Sequence, residues 1–109
     1  MSIFLLRHEE RFEPPSFFTP LTQKGLNNAK KLVDKLIKIP LDEIYCSPFL
    51  RTVQTIYPYC NSNNIKINIE NSLYEIPNNI LFINEIVYST LNIRDINSEI
   101  INYNYKSYM

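Results

Sequence analysis

Hydrophobic and polar positions change period several times along the chain, and each change marks an element. Ile3, Phe4, Leu5 and Leu6 form an unbroken apolar run, which predicts a strand over residues 2–6 covered on both faces. The run ends abruptly in Arg7-His8-Glu9-Glu10-Arg11. Residues 9–21 contain Pro14, Pro15 and Pro20, so they predict a loop across the end of that strand rather than a continuous helix. Thr22 is a good N-cap, and Leu26, Ala29, Val33, Leu36 and Ile37 then recur at three- and four-residue spacing opposite lysines. The spacing predicts a helix over residues 22–38, stopped by Pro40.

The next apolar run, residues 41–46, reads as a short second strand. Ser47-Pro48 supplies a cap with proline at the first helical position, and Phe49, Leu50, Val53 and Ile56 give the following helix its apolar face. Pro58 is expected to bend that helix or end it early. Residues 65–70 alternate apolar and polar as a half-exposed or edge strand does, and residues 71–77 read as an irregular segment over the sheet end. Weaker periodicity allows one helix over residues 80–91 and a second short one over residues 93–103. Strand, helix, strand, helix is the order of an α/β fold with a parallel sheet.

Composition narrows the class. A chain of 109 residues builds one core, so a single domain over residues 1–109 is expected, and 45% hydrophobic residues suffice for it. Eleven basic and eleven acidic residues cancel, which argues against nucleic acid or an anionic membrane as partner, while leaving a local anion site open. Cys46 and Cys60 have neither metal-ligand spacing nor the density of a disulfide scaffold. They read as free thiols of a cytoplasmic protein. The apolar run at residues 3–6 is too short for a signal peptide or a membrane span.

The candidate chemistry sits where the first strand should end. In open α/β sheets, ligands bind beyond the carboxyl ends of the strands. A neutral imidazole beside guanidinium groups is a device for attacking phosphorus, because the planar forks of arginine match phosphate oxygens. Arg7-His8 is one such pair, and Arg11 is placed to return to the same anion. Arg51 falls in the first turn of the second helix, on the same side of a parallel sheet, where helix N-terminal amides also favour anions. Taken singly, a lone histidine, a helix arginine and a Ser-Pro cap are each more often structural. Their joint order carries the functional reading.

Four blocks in sequence carry a resemblance: Leu6-Arg7-His8-Glu9-Glu10-Arg11, Pro20-Leu21-Thr22-Gln23-Lys24-Gly25, Ile44-Tyr45-Cys46-Ser47-Pro48-Phe49-Leu50-Arg51-Thr52-Val53-Gln54-Thr55, and Leu73-Tyr74-Glu75. Together they resemble the histidine phosphatase superfamily, also called phosphoglycerate mutase-like, over about residues 3–76. The resemblance implies a three-layer sheet with helices on both faces, incomplete at its C-terminal side, with residues 77–109 divergent or replacing the missing part. It implies His8 as the nucleophile that becomes phosphohistidine, Arg7, Arg11 and Arg51 as phosphate ligands, and Glu75 as the acid that protonates the leaving oxygen. No metal or cofactor is implied, since the arginines neutralise the phosphate. The implied activity is hydrolysis of a phosphate monoester, either a small molecule or a phosphoprotein.

Two departures qualify that implication. Glu9 stands where the family usually has glycine, and His8 is the only histidine, although family members carry a second one late in the chain. The resemblance therefore implies a domain truncated at its C-terminal side, with strand 3–7 presenting an apolar edge that residues 80–103 cover or that drives homo-oligomerisation. The alternative function is a catalytically impaired or inactive remnant that binds phosphorylated ligands or a protein partner.

Overall fold

The structure is a computed structural model that describes residues 3–16, 18–73 and 96–107. Its elements in chain order are helix α1 (Gln23–Leu36), strand β1 (Ile44–Cys46), helix α2 (Leu50–Asn63) and strand β2 (Ile67–Ile69). One-turn 3-10 segments follow at Asn71–Leu73 and Ser98–Ile100.

β1, α2 and β2 form a βαβ unit. The two strands pair in parallel, Ile44 opposite Ile67 and Cys46 opposite Ile69, and the amide of Glu70 continues the ladder to the Cys46 carbonyl at 2.8 Å. On its other side β2 meets a parallel bridge from Ile101, and the amide of Asn102 donates to the Ile67 carbonyl at 2.9 Å. β2 is therefore an inner strand, buried on both faces. This corrects the expectation of a half-exposed edge strand. The polar member of its alternation, Asn68, is itself buried and accepts from Asn102 Nδ2 at 2.9 Å, so the alternation reflects a buried amide pair rather than solvent.

The core lies between α2 and this sheet. Leu50, Val53, Ile56, Tyr59 and Cys60 of α2 pack with Ile44, Cys46, Ile67, Ile69, Ile96, Ile100 and Ile101. α1 lies against α2, with Thr22 capping it as its sequence predicts: the Thr22 hydroxyl accepts from the Gly25 amide at 3.0 Å. Val33 and Leu36 bring α1 to the edge of the core.

Several expectations are corrected. α2 does not end at Pro58 but runs to Asn63, because Tyr59 and Cys60 beyond the proline are buried and offset the hydrogen bond it removes. Ser47 is not the cap of α2, which starts after Phe49 without a side-chain cap. The Ser47 hydroxyl instead meets the Thr52 hydroxyl at 2.6 Å. The helix expected over residues 93–103 reduces, in its described part, to the Ser98–Ile100 turn and the Ile101 bridge. The helix expected over residues 80–91 lies outside the described residues.

The first strand is the largest difference. Residues 3–6 belong to no strand, and Ile3, Phe4, Leu5 and Leu6 are 83%, 55%, 95% and 49% exposed. An apolar run becomes a strand only when a neighbour supplies ladder partners, and no described residue pairs with it. Ile101, from the C-terminal part, pairs with β2. Cys46 and Cys60 are free, as expected, and both are buried. Among the described residues no helix is long and apolar enough to cross a membrane.

Candidate active site

Although no described residue pairs with the run before it, the segment from Glu9 to Arg11 is tied to both helices. Arg11 makes an antiparallel bridge to Leu21. The Glu10 carbonyl accepts from the Thr22 amide at 3.0 Å, at the N-terminus of α1. The Glu9 amide donates to Thr55 Oγ1 of α2 at 3.0 Å. The buried Leu21 amide donates to Gln54 Oε1 at 2.8 Å, which fixes the other side of the bridge.

Gly25 makes this packing close. A Cβ at that position would lie 2.2 Å from the Glu10 carbonyl oxygen and 3.2 Å from Leu21 Cβ. The glycine is needed for space, not for its backbone angles. Glycine here lets the helix N-terminus approach the segment that carries His8.

α2 supplies the opposing wall through three buried polar residues one turn apart. Arg51, Gln54 and Thr55 share the i, i+3, i+4 stripe of the helix and all contact the N-terminal segment. Arg51 Nη1 donates to the Ser16 carbonyl at 3.0 Å, and its guanidinium lies over the Phe49 ring, 4.3 Å from the centroid. Thr55 Oγ1 donates to the Arg51 carbonyl at 2.8 Å while accepting from Glu9, so one hydroxyl ties the His8-Glu9 step to the turn that carries Arg51. Gln54 and Thr55 were not singled out by sequence. The signal that would have found them is a polar stripe on a helix otherwise apolar enough to be buried all round.

His8 is half-buried, and its Nδ1 lies 2.7 Å from the Glu9 carbonyl. A carbonyl only accepts, so Nδ1 carries the proton in the neutral ring and Nε2 is left with a free lone pair. The geometry thus selects the tautomer a nucleophilic histidine needs.

The remaining predicted residues are placed differently. Arg11 turns into its own loop, where Nη1 donates to the Phe12 carbonyl at 3.1 Å and pairs with Glu13 Oε1 at 2.8 Å. Its Nε is buried without a hydrogen-bond partner. Arg7 is exposed, with no hydrogen bond or ion pair among the described residues. Glu75 lies outside the described residues. Among the described residues no cluster of histidine, cysteine, aspartate or glutamate could hold a metal ion.

The sequence profile of the histidine phosphatase superfamily (branch 1) matches residues 4–81, which takes in the His8 segment, α1, both strands and α2. The chain belongs to that superfamily. Its fold is similar to the crystal structure of the ecdysone phosphate phosphatase EPPase of Bombyx mori in complex with tungstate. The match has a TM-score of 0.61 and 23% sequence identity, and covers 85% of this chain but only 38% of the phosphatase chain. No curated protein matches the chain significantly.

Proposed function

We propose that the domain hydrolyses phosphate monoesters through a phosphohistidine on His8. The observation that carries this reading is the contact between His8 Nδ1 and the Glu9 carbonyl, which in the neutral ring puts the proton on Nδ1 and the lone pair on Nε2. Superfamily membership supports it, as does the similar fold of a phosphatase that holds tungstate, a tetrahedral oxyanion like phosphate. In the first step the Nε2 lone pair forms the N–P bond as the P–O ester bond breaks, and Glu75 gives its proton to the departing oxygen. In the second, water attacks phosphorus and yields its proton to the Glu75 carboxylate, the P–N bond electrons return to His8, and inorganic phosphate leaves. Arg51, Arg7 and Arg11 neutralise the phosphoryl charge. For Arg11 this requires exchanging Glu13 for the substrate.

The reading includes the family's three-layer sheet as the architecture of the whole fold, with residues 3–6 as one of its strands. A cytoplasmic setting is in keeping with two buried free thiols.

A second reading is favoured by one sequence fact: Glu9 brings a carboxylate to the position after His8, where it repels an anion. On that reading the arginines still bind phosphorylated ligands but turnover is lost. Assaying an aryl phosphate, with vanadate as a binding probe, separates the two. Turnover lost in His8→Ala supports the hydrolase. Vanadate binding that needs Arg51 but comes without turnover supports the remnant, and neither signal refutes both.

A further inference from the structure

Thr55 sits one turn after Arg51 on α2 and is 2% exposed. Its single hydroxyl proton goes to the Arg51 carbonyl at 2.8 Å, so the oxygen lone pairs are left to accept, and the Glu9 amide donates to them at 3.0 Å. The direction of both bonds is thereby fixed. A hydroxyl bonded four residues back along its own helix slightly destabilises that helix, so α2 itself gains nothing from the arrangement. What it yields is an acceptor turned outward to Glu9.

That acceptor governs the histidine at one remove. Glu9 is held by its amide at Thr55, and the carbonyl of the next residue, Glu10, is held by the Thr22 amide at 3.0 Å. Between those two fixed points lies the Glu9 carbonyl, which faces His8 Nδ1 at 2.7 Å. The proton position on the ring follows from where that carbonyl points. Thr52, on the same helix, shows that this use of a hydroxyl is particular to Thr55. Its Oγ1 donates to the carbonyls of Ser47 and Phe49 at 2.9 and 2.8 Å and meets Cys46 Sγ and Ser47 Oγ, all outside the His8 segment.

We propose that Thr55 is a positioning residue of the phosphoryl site: its hydroxyl ties the Glu9 backbone to the turn that carries Arg51 and thereby holds His8 in the tautomer with its lone pair on Nε2. The catalytic consequence rests on the hydrolase reading, but the hold on His8 is measurable without turnover.

His8 is the only histidine, so nitrogen NMR of the histidine-labelled full chain reports this ring alone. At a pH where the ring is neutral, wild type is expected to carry the proton on Nδ1. Thr55→Val keeps the side-chain shape without the hydroxyl and should shift the tautomer ratio towards a proton on Nε2 by roughly twofold to tenfold, the range of one hydrogen bond. Thr55→Ser should restore the wild-type pattern, and Thr52→Val should leave it unmoved. A wild-type pattern in Thr55→Val, an equal shift in Thr52→Val, or a wild-type ring protonated on Nε2 overturns the proposal. Amide exchange in wild type is a second measurement that holds even where valine unfolds the chain. After correction for intrinsic rates, the Glu9 amide should exchange at least roughly tenfold more slowly than the Arg7 amide, and equal rates overturn the proposal. Turnover of an aryl phosphate is read in parallel. A tautomer that depends on Thr55 without turnover keeps the hold on His8 and refutes the hydrolase. Turnover with a tautomer indifferent to Thr55 refutes the positioning role and keeps the hydrolase.

Discussion

Gly25→Ala tests whether the His8 segment is positioned by the end of α1. In most helices this change stabilises, because alanine is favoured over glycine by about 1 kcal/mol. Here the new methyl would meet the Glu10 carbonyl oxygen at 2.2 Å, with the Glu10 carbonyl carbon and Leu21 Cβ both at 3.2 Å. The obstructing atom is backbone, so the chain itself must retreat by roughly 1 Å to restore ordinary contact. Overpacking of this kind costs about 1–3 kcal/mol. The retreat also weakens the 3.0 Å bond from the Thr22 amide to Glu10, a further loss of about 1 kcal/mol. Set against the propensity gain, the net destabilisation is about 1–3 kcal/mol, or about 4–8 °C in Tm for each kcal/mol in a domain of this size.

Urea denaturation of wild type and variant, followed by circular dichroism, measures this directly. Lys31→Ala, on the exposed face of the same helix, is the control and should lie within about 0.5 kcal/mol of wild type. If Gly25→Ala equals or exceeds wild type in stability, helix propensity governs the position. The close approach of Glu10 to α1 is then not what holds the segment.

Asn64 closes α2 at φ 54°, in the left-handed region, with its amide on the Cys60 carbonyl, so Asn64→Ala should cost about 1 kcal/mol in denaturant titrations while Asn64→Gly should not. Buried Glu70 accepts from the Ser72 amide at 2.8 Å, Tyr105 Oη at 2.5 Å and Ser107 Oγ at 2.9 Å; Glu70→Gln points an amide donor at some of those donors and should cost about 1–3 kcal/mol and speed tryptic cleavage after Lys106. Burial pushes the thiols of Cys46 and Cys60 from 9.0 up to about 12, so the fold favours their neutral forms. That stability is complete below pH 9 and is lost as pH rises from 9 towards 12, at roughly 1.4 kcal/mol per thiol by pH 10. The fall in stability between pH 8 and 10 should be shallower in Cys46→Ala/Cys60→Ala than in wild type, and equal slopes would refute the burial argument.

Local signals in the sequence were read correctly where one element decides them alone. Thr22 and the 3.6-residue spacing behind it locate α1 to within two residues, and the apolar face of α2 identifies the core helix. The errors share a cause, which is that neighbours distant in sequence decide the outcome. Pro58 is a poor helix residue by itself, but the burial of Tyr59 and Cys60 depends on packing against strands that local rules do not see. Asn68 looks like a solvent-facing residue until Asn102, thirty-four positions later, arrives to bond it. The place of Arg51 in the first turn of α2 was legible from the strand and turn before it. Its partners Gln54 and Thr55 were not, because a glutamine or threonine on a helix acquires a role only from the backbone amide it receives.

The same distinction explains how the candidate site holds its form beside an unpaired apolar run. In a parallel sheet, a residue at the carboxyl end of a strand is placed by the ladder that precedes it. Here residues 3–6 have no ladder among the described residues, yet the Glu9 amide and the Glu10 carbonyl are both satisfied, one by a threonine of α2 and the other by the N-terminus of α1. Position therefore comes from the side of the helices and not from the strand. Arg7, on the strand side of His8, is exposed, whereas Glu9 and everything anchored after it is fixed to helices that belong to the buried core. His8 stands at the junction, with its ring directed through Nδ1 to the carbonyl of Glu9, the residue whose amide Thr55 holds. Pairing of residues 3–6 in a ladder would thus leave the tautomer of His8 as it is, since that is set from the Glu9 side.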